Sequence, residues 1–145
     1  MKYEINPYVG VGPILFGMTR SEIRHALGKK YNTISKGSII GHLSDVFRDI
    51  DTFVYYDNED KCRAVEFGRP DGNPILLGCN LLKMNIGYVR DFIRKIDENI
   101  KMNNDGLTSF GLGVGIWHES GFDEPEEMPQ SAIVFRRGYY EEPLE

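Results

Sequence analysis

Nowhere in this chain do about 18 apolar residues run together, the length a helix needs to cross a bilayer. The opening MKYEINPYVG also has no apolar stretch of the signal-peptide kind. Cysteine is scarce. Cys62 and Cys79 stand far apart, belong to no C-x-x-C or Cys/His ligand pattern and sit among apolar residues. Such thiols are expected to stay unpaired in a reducing compartment. Together these features predict a cytoplasmic protein.

Histidine is equally sparse, with His25, His42 and His118 and no H-x-x-H or H-E-x-x-H spacing among them. A metal site would need ligands from distant segments, so no metal or cofactor is expected. There is no G-x-S-x-G elbow. The glycine run Gly111-Leu-Gly-Val-Gly lacks phosphate-loop spacing and leads into a strand-like run rather than a helix start. His118, followed by Glu119, is the best catalytic pair on offer. With no local catalytic signature, the expectation is that the chain is not an enzyme.

What the chain does have is glycine and aromatic residues. Its 145 residues include 16 glycines, eight tyrosines and eight phenylalanines, a composition of strands and tight turns rather than a helical bundle. That length predicts one domain spanning residues 1–145. The net charge of −5 is unevenly spread. Residues 119–145 carry eight acids and two bases, a net of −6, and the remainder, with 15 bases and 14 acids, is +1. An acidic C-terminal end disfavours nucleic acid and anionic membrane and favours a protein partner with a basic surface.

Local signals place one short helix with precision. Thr19-Arg20-Ser21-Glu22 has the T-x-x-E form of a capping box, Met18 and Ile23 form a hydrophobic staple, and Gly28 supplies a left-handed stop. The arrangement recurs 66 residues later, where Gly12, Leu15, Met18, Thr19 and Arg24 align without a gap with Gly78, Leu81, Met84, Asn85 and Arg90. Ile86, Val89, Phe92, Ile93, Ile96 and Ile100 then hold a helical period to about Met102.

Strand patterns follow each helix. Thr52 to Tyr56 and Cys62 to Phe67 flank a polar turn. Ser109 to Trp117 and Ser131 to Arg137 make a second pair across an acidic connection, and Ile39, Ile40 and Leu43 suggest one short strand more. The expected fold is α+β: a single antiparallel sheet with both helices packed on one face, built from helix-plus-strands repeats over about 10–68 and 76–138.

The stretch Gly17-Met-Thr-Arg-Ser-Glu-Ile, with Leu27 and Gly28, resembles the repeat shared by β-lactamase-inhibitor proteins and SmpA/OmlA outer-membrane assembly lipoproteins. The tandem copy is similar to the inhibitor version, whose sheet face grips another protein. The chain also resembles the small cytoplasmic immunity proteins that accompany bacterial toxins. These resemblances imply a protein-binding module that neutralises a toxin domain by direct contact.

A binding face is suggested by regular alternation along Gly111 to His118, which would place Leu112, Val114, Ile116 and His118 on one side. The other side would then carry three glycines and Trp117, a shallow floor beside a residue type enriched in interface hot spots. Tyr55 or Tyr56 would enlarge the patch, and Asp123, Glu124, Glu126 and Glu127, in a loop stiffened by Pro125 and Pro129, would steer a basic partner. Trp117 could equally close the core, and the acids could be solvated surface. Two further readings fit the same residues: a small enzyme or ligand-binding protein using the sheet face around His118, and a homo-oligomer subunit with Trp117 buried between copies.

Overall fold

The computed structural model describes residues 2–35 and 43–141. Ile39, Ile40 and His42 lie outside the described residues, whereas Leu43 opens a strand. The first half runs β1 (Tyr3–Asn6), β2 (Gly10–Val11), β3 (Ile14–Leu15), α1 (Arg20–Leu27), β4 (Asn32–Ser35), β5 (Leu43–Phe47), β6 (Thr52–Tyr56) and β7 (Cys62–Gly68). The second runs β8 (Pro74–Leu76), β9 (Cys79–Asn80), α2 (Ile86–Ile96), β10 (Lys101–Asn103), β11 (Gly106–Ser109), β12 (Val114–Trp117) and β13 (Ser131–Phe135). Hairpin, helix and four-stranded meander thus occur in the same order twice, and the two helices begin 66 residues apart, as do Gly12 and Gly78 at their positive-φ turns.

The expectation of a single antiparallel sheet is overturned. The strands form an eight-stranded antiparallel sheet, in the order β10-β11-β12-β13-β7-β6-β5-β4, and a separate five-stranded sheet, β3-β2-β1-β8-β9. The smaller sheet is mixed, because β1 pairs parallel with β8, Tyr3 opposite Pro74. That pairing joins the chain start to the second half, and no local periodicity encodes it.

One core lies on the inner face of the large sheet. Val54, Tyr56, Val65, Phe67, Ala132, Val134, Val114, Ile116 and Leu107 meet Ile23 and Leu27 of α1 and Ile86, Val89 and Ile93 of α2. Tyr3, Ile5, Val11, Ile14 and Leu76 of the small sheet complete the same cluster. The helices and the small sheet therefore form a second layer over the large sheet. A register shift between Tyr55 and Tyr56 inserts Arg63, so that Cys62 points into the core while Ala64 faces outward.

Helix α1 is ended as its sequence predicts. Glu22 N–H donates to Thr19 Oγ1 at 3.2 Å, Thr19 N–H donates to Glu22 Oε1 at 2.9 Å, and Gly28 stops the helix at φ 58°. Thr19→Ala is expected to remove about 1 kcal/mol of stability through the lost cap, measured by urea unfolding; an unchanged midpoint would show that the cap contributes nothing. Helix α2 stops at Ile96, short of the expected Met102. Its C-cap Asp97 turns the chain by accepting from Asn99 N–H at 3.0 Å, Ser109 Oγ at 2.7 Å and Gly111 N–H at 3.2 Å. The expected strand Ser109 to Trp117 is likewise divided. Gly113, at φ 69°, donates its N–H to Ser109 O at 2.8 Å and closes a turn between β11 and β12.

Beneath α1 lies a charged cluster. Asp45 of β5 is fully buried and accepts from Arg24 Nε and Nη2, both at 2.8 Å, from Tyr56 Oη at 2.9 Å and from Thr33 Oγ1 at 3.2 Å. Arg20 Nη1 stands 3.6 Å away, and its guanidinium stacks 4.2 Å from the Tyr56 ring centre. The cluster ties α1 to β4, β5 and β6.

Candidate functional site

The outer face of the large sheet is only partly covered. At one end Phe135 stacks on Tyr139 at 5.6 Å and meets Tyr140 edge-on at 5.0 Å, with Phe110 and Tyr8 alongside and the Arg63 guanidinium 5.1 Å from the Tyr139 ring. Here the C-terminal 3-10 turn, Tyr139–Glu141, folds back over its own sheet.

Beyond that aromatic cover the face is open. Cross-strand registers place Glu66, Ile133, Gly115 and Thr108 in one row, and Gly68, Ser131, Trp117 and Gly106 in the next. Ile133, Gly115, Thr108 and Ser131 of these rows floor a groove of about 600 Å³, walled by Trp117, Asn103 and Asp105 on one side and by Glu66 and Tyr140 on the other. Gly115 keeps the floor low, since a Cβ there would stand 2.9 Å from Ile133 Cγ2. The Trp117 indole is 41% exposed, and its Nε1–H donates to Asp105 Oδ2 at 3.0 Å, which fixes both groups at the rim. Opposite, Glu66 Oε1 accepts from Tyr55 Oη at 2.5 Å. Burial, reinforced by the Glu66 charge, raises the pKa of both the Tyr55 and Tyr140 hydroxyls, so both stay neutral donors. Among the described residues the lining includes two carboxylates and no lysine or arginine, while Lys101 stands opposite Thr108 at the sheet edge, outside the lining. Such a groove is chemically suited to a cation carried on an extended chain.

The predicted site residues divide between two sides of the sheet. Trp117 and Tyr55 are on the outer face, Trp117 at the groove rim and Tyr55 outside the lining, on β6 beside Glu66, which it supports. Tyr56 is turned into the core against Asp45. His118 is only 5% exposed; its Nδ1 accepts from Ser120 N–H at 3.0 Å and its Nε2 lies 3.2 Å from Glu127 Oε1.

The acidic loop belongs to the helix layer. Ile86 N–H donates to Glu127 O at 2.7 Å and Gly87 N–H to Pro125 O at 2.9 Å, so backbone carbonyls satisfy the first amides of α2. Gly87 is required there, because a Cβ would come within 3.0 Å of Pro125 Cβ. The side chains of Asp123, Glu124, Glu126 and Glu127 remain exposed around a helix N-terminus, where negative charge is favourable. They lie behind the sheet from Trp117 and do not line the groove.

Asp105, Glu66 and Tyr140 escaped the sequence reading. Asp105 had a signal: Asn104-Asp105-Gly106 is a tight-turn sequence, and it joins β10 to β11. Among the described residues no three His, Cys, Asp or Glu side chains are grouped to hold a metal ion, and no helix is long and apolar enough to cross a membrane.

No protein-family model matches the chain, and no curated protein sequence matches it. The fold is similar to the crystal structure of the uncharacterized protein YfeY from Escherichia coli, with a TM-score of 0.57 and 14% identity over 94% of this chain and 100% of that one. This likeness concerns the fold alone.

Proposed function

We propose that this chain is a protein-binding module that holds a basic polypeptide segment in the groove on the outer face of its large sheet. The observation that carries the reading is the groove itself: a floor kept low at Gly115, one half-exposed tryptophan and two carboxylates, with no cationic residue in the lining among the described residues. A shallow floor lets another backbone approach, and an aromatic side chain clamped at the rim presents its area at little entropic cost. The acidic loop lies too far round the fold to touch the same segment and contributes to the general negative field that draws a basic partner in.

A cytoplasmic immunity protein that blocks a basic toxin domain is the form of this function that the family resemblance implies. The thiols fit a reducing compartment, since Cys62 and Cys79 are unbridged and burial pushes the Cys62 thiol up to about 12.

The test is selection from a random displayed peptide library on the wild-type protein. Enriched peptides should carry net positive charge and should bind Trp117→Ala about thirtyfold more weakly, the loss of a hot spot worth about 2 kcal/mol. Gly115→Val, which fills the floor, should weaken the same peptides. Peptides that bind both variants as tightly as the wild type, or a selection that enriches nothing, would refute this site.

A further inference from the structure

The groove has a length as well as a charge, and we infer that it reads an extended segment carrying two cationic side chains four residues apart, the one at Trp117 being arginine. The inference rests on the binding function proposed above.

Its two carboxylates stand at opposite ends. From Glu66 to Trp117 the register crosses two strand spacings and advances two residues along the strand, a diagonal of about 12 Å. The indole then reaches across to Asp105, which immediately precedes the neighbouring strand β11. Asp105 itself lies one strand and one residue further, about 17 Å from Glu66 along the sheet. A cation held between the indole and Asp105 would therefore be on the order of 14 Å from one at Glu66, to which four residues is the nearest even spacing. An extended chain advances about 3.3 Å per residue and turns alternate side chains to the same side. A spacing of two falls short and a spacing of three turns one cation away from the sheet. Four residues satisfy both distance and direction.

The two ends differ in chemistry. At the Trp117 end an indole face adjoins a carboxylate already oriented by the indole N–H. A planar guanidinium can stack on that face and direct its N–H groups at Asp105 together, which a compact ammonium cannot. At the Glu66 end there is a carboxylate anchored by Tyr55. The neighbouring Tyr140 ring is exposed but already engaged edge-on by Phe110, Phe135 and Tyr139. It carries no hydrogen bond to Glu66 that would orient the carboxylate beside its face, so either cation fits. Between them the low floor at Gly115 and the hydroxyl of Ser131 leave room and hydrogen-bonding partners for the segment's backbone.

Trp117 is the single tryptophan of the chain, so its emission reports on the groove directly. The experiment titrates the full protein with short serine/threonine/glycine peptides bearing two arginines that are adjacent, two apart or four apart. Parallel versions carry lysine or citrulline at either position, and spermine serves as a cation without a peptide backbone. The four-apart pair should shift Trp117 emission and bind at least about tenfold more tightly than the other spacings. Replacing one arginine by lysine should cost affinity at one peptide position and little at the other. Glu66→Gln should abolish the advantage of spacing, and Asp105→Asn the preference for arginine. Equal binding at all spacings, with Trp117→Ala still abolishing it, would overturn this inference and leave the binding function standing. Spermine binding as tightly as the best peptide would also overturn it. If no basic peptide perturbs Trp117 and the library selection enriches none, the proposed function fails as well.

Discussion

Replacing Asp45 with alanine is expected to lower the free energy of unfolding by about 3–5 kcal/mol, the cost of breaking a buried ion pair and leaving its partner charge behind. The carboxylate is fully buried, and Arg24 donates to both of its oxygens. Without it Arg24 loses both of its carboxylate contacts, whereas Arg20 keeps its pair with Asp60 at 2.7 Å. Chemical denaturation should show the midpoint fall at nearly constant m-value; a loss below about 1 kcal/mol would mean that water or rearrangement replaces the carboxylate. Acid should expose the same dependence. Burial raises the Asp45 pKa, but the hydrogen bonds from Arg24 and Tyr56 and the Arg24 charge outweigh it, and the net value lies below the usual one. A carboxyl depressed on folding stabilises the native state above its unfolded pKa of about 3.9 and loses that contribution as pH falls through the lower folded value. Asp45→Asn should therefore be less stable than wild type at neutral pH, and the difference should narrow under strong acid.

Phe67→Ala is expected to cost a similar amount, about 3–5 kcal/mol, for a different reason. Phe67 is fully buried at the middle of the large sheet, and its partners in the register are Thr52 and Ala132. Both neighbours are small, so the ring fills space that they cannot reach after truncation, and the cavity persists. The ring also lies 5.8 Å from that of Tyr3, and so holds the small sheet to the large one. Unfolding monitored by denaturant gives the loss directly; a cost near 1 kcal/mol would show that the small sheet settles into the gap.

The contrast between helix α1 and the small sheet shows where sequence reasoning reaches. Thr19, Glu22, Ile23 and Gly28 act on one another within a few residues, so their pattern is visible along the chain and the observed cap matches it atom for atom. The strands β2, β3 and β9 have two residues each, too few to show any alternation. They exist because positive-φ glycines at Gly12 and Gly78 turn the chain, and because β1 and β8 happen to meet in space. The candidate site divides similarly. Gly115 and Trp117 on one face of β12 were legible from alternation, with Val114 and Ile116 turned to the core. The other two glycines of the expected floor were not placed: Gly113 lies in the turn before β12 and Gly111 against Asp97. The separation of that tryptophan from the acidic loop was not legible, because it depends on where α2 begins and on amides that needed carbonyls.

The pairing scheme also sets an order of assembly. Of the strand pairs described, only β1 with β8 and β7 with β13 join strands that are not successive along the chain. Every other pair is a neighbour-to-neighbour meander, whose loop-closure entropy is small. Each half can therefore build its own four strands early and cheaply. The rate of reaching the native state then falls to the two seams, where the halves must find each other before Tyr3 can pair with Pro74 and Phe67 with Ala132.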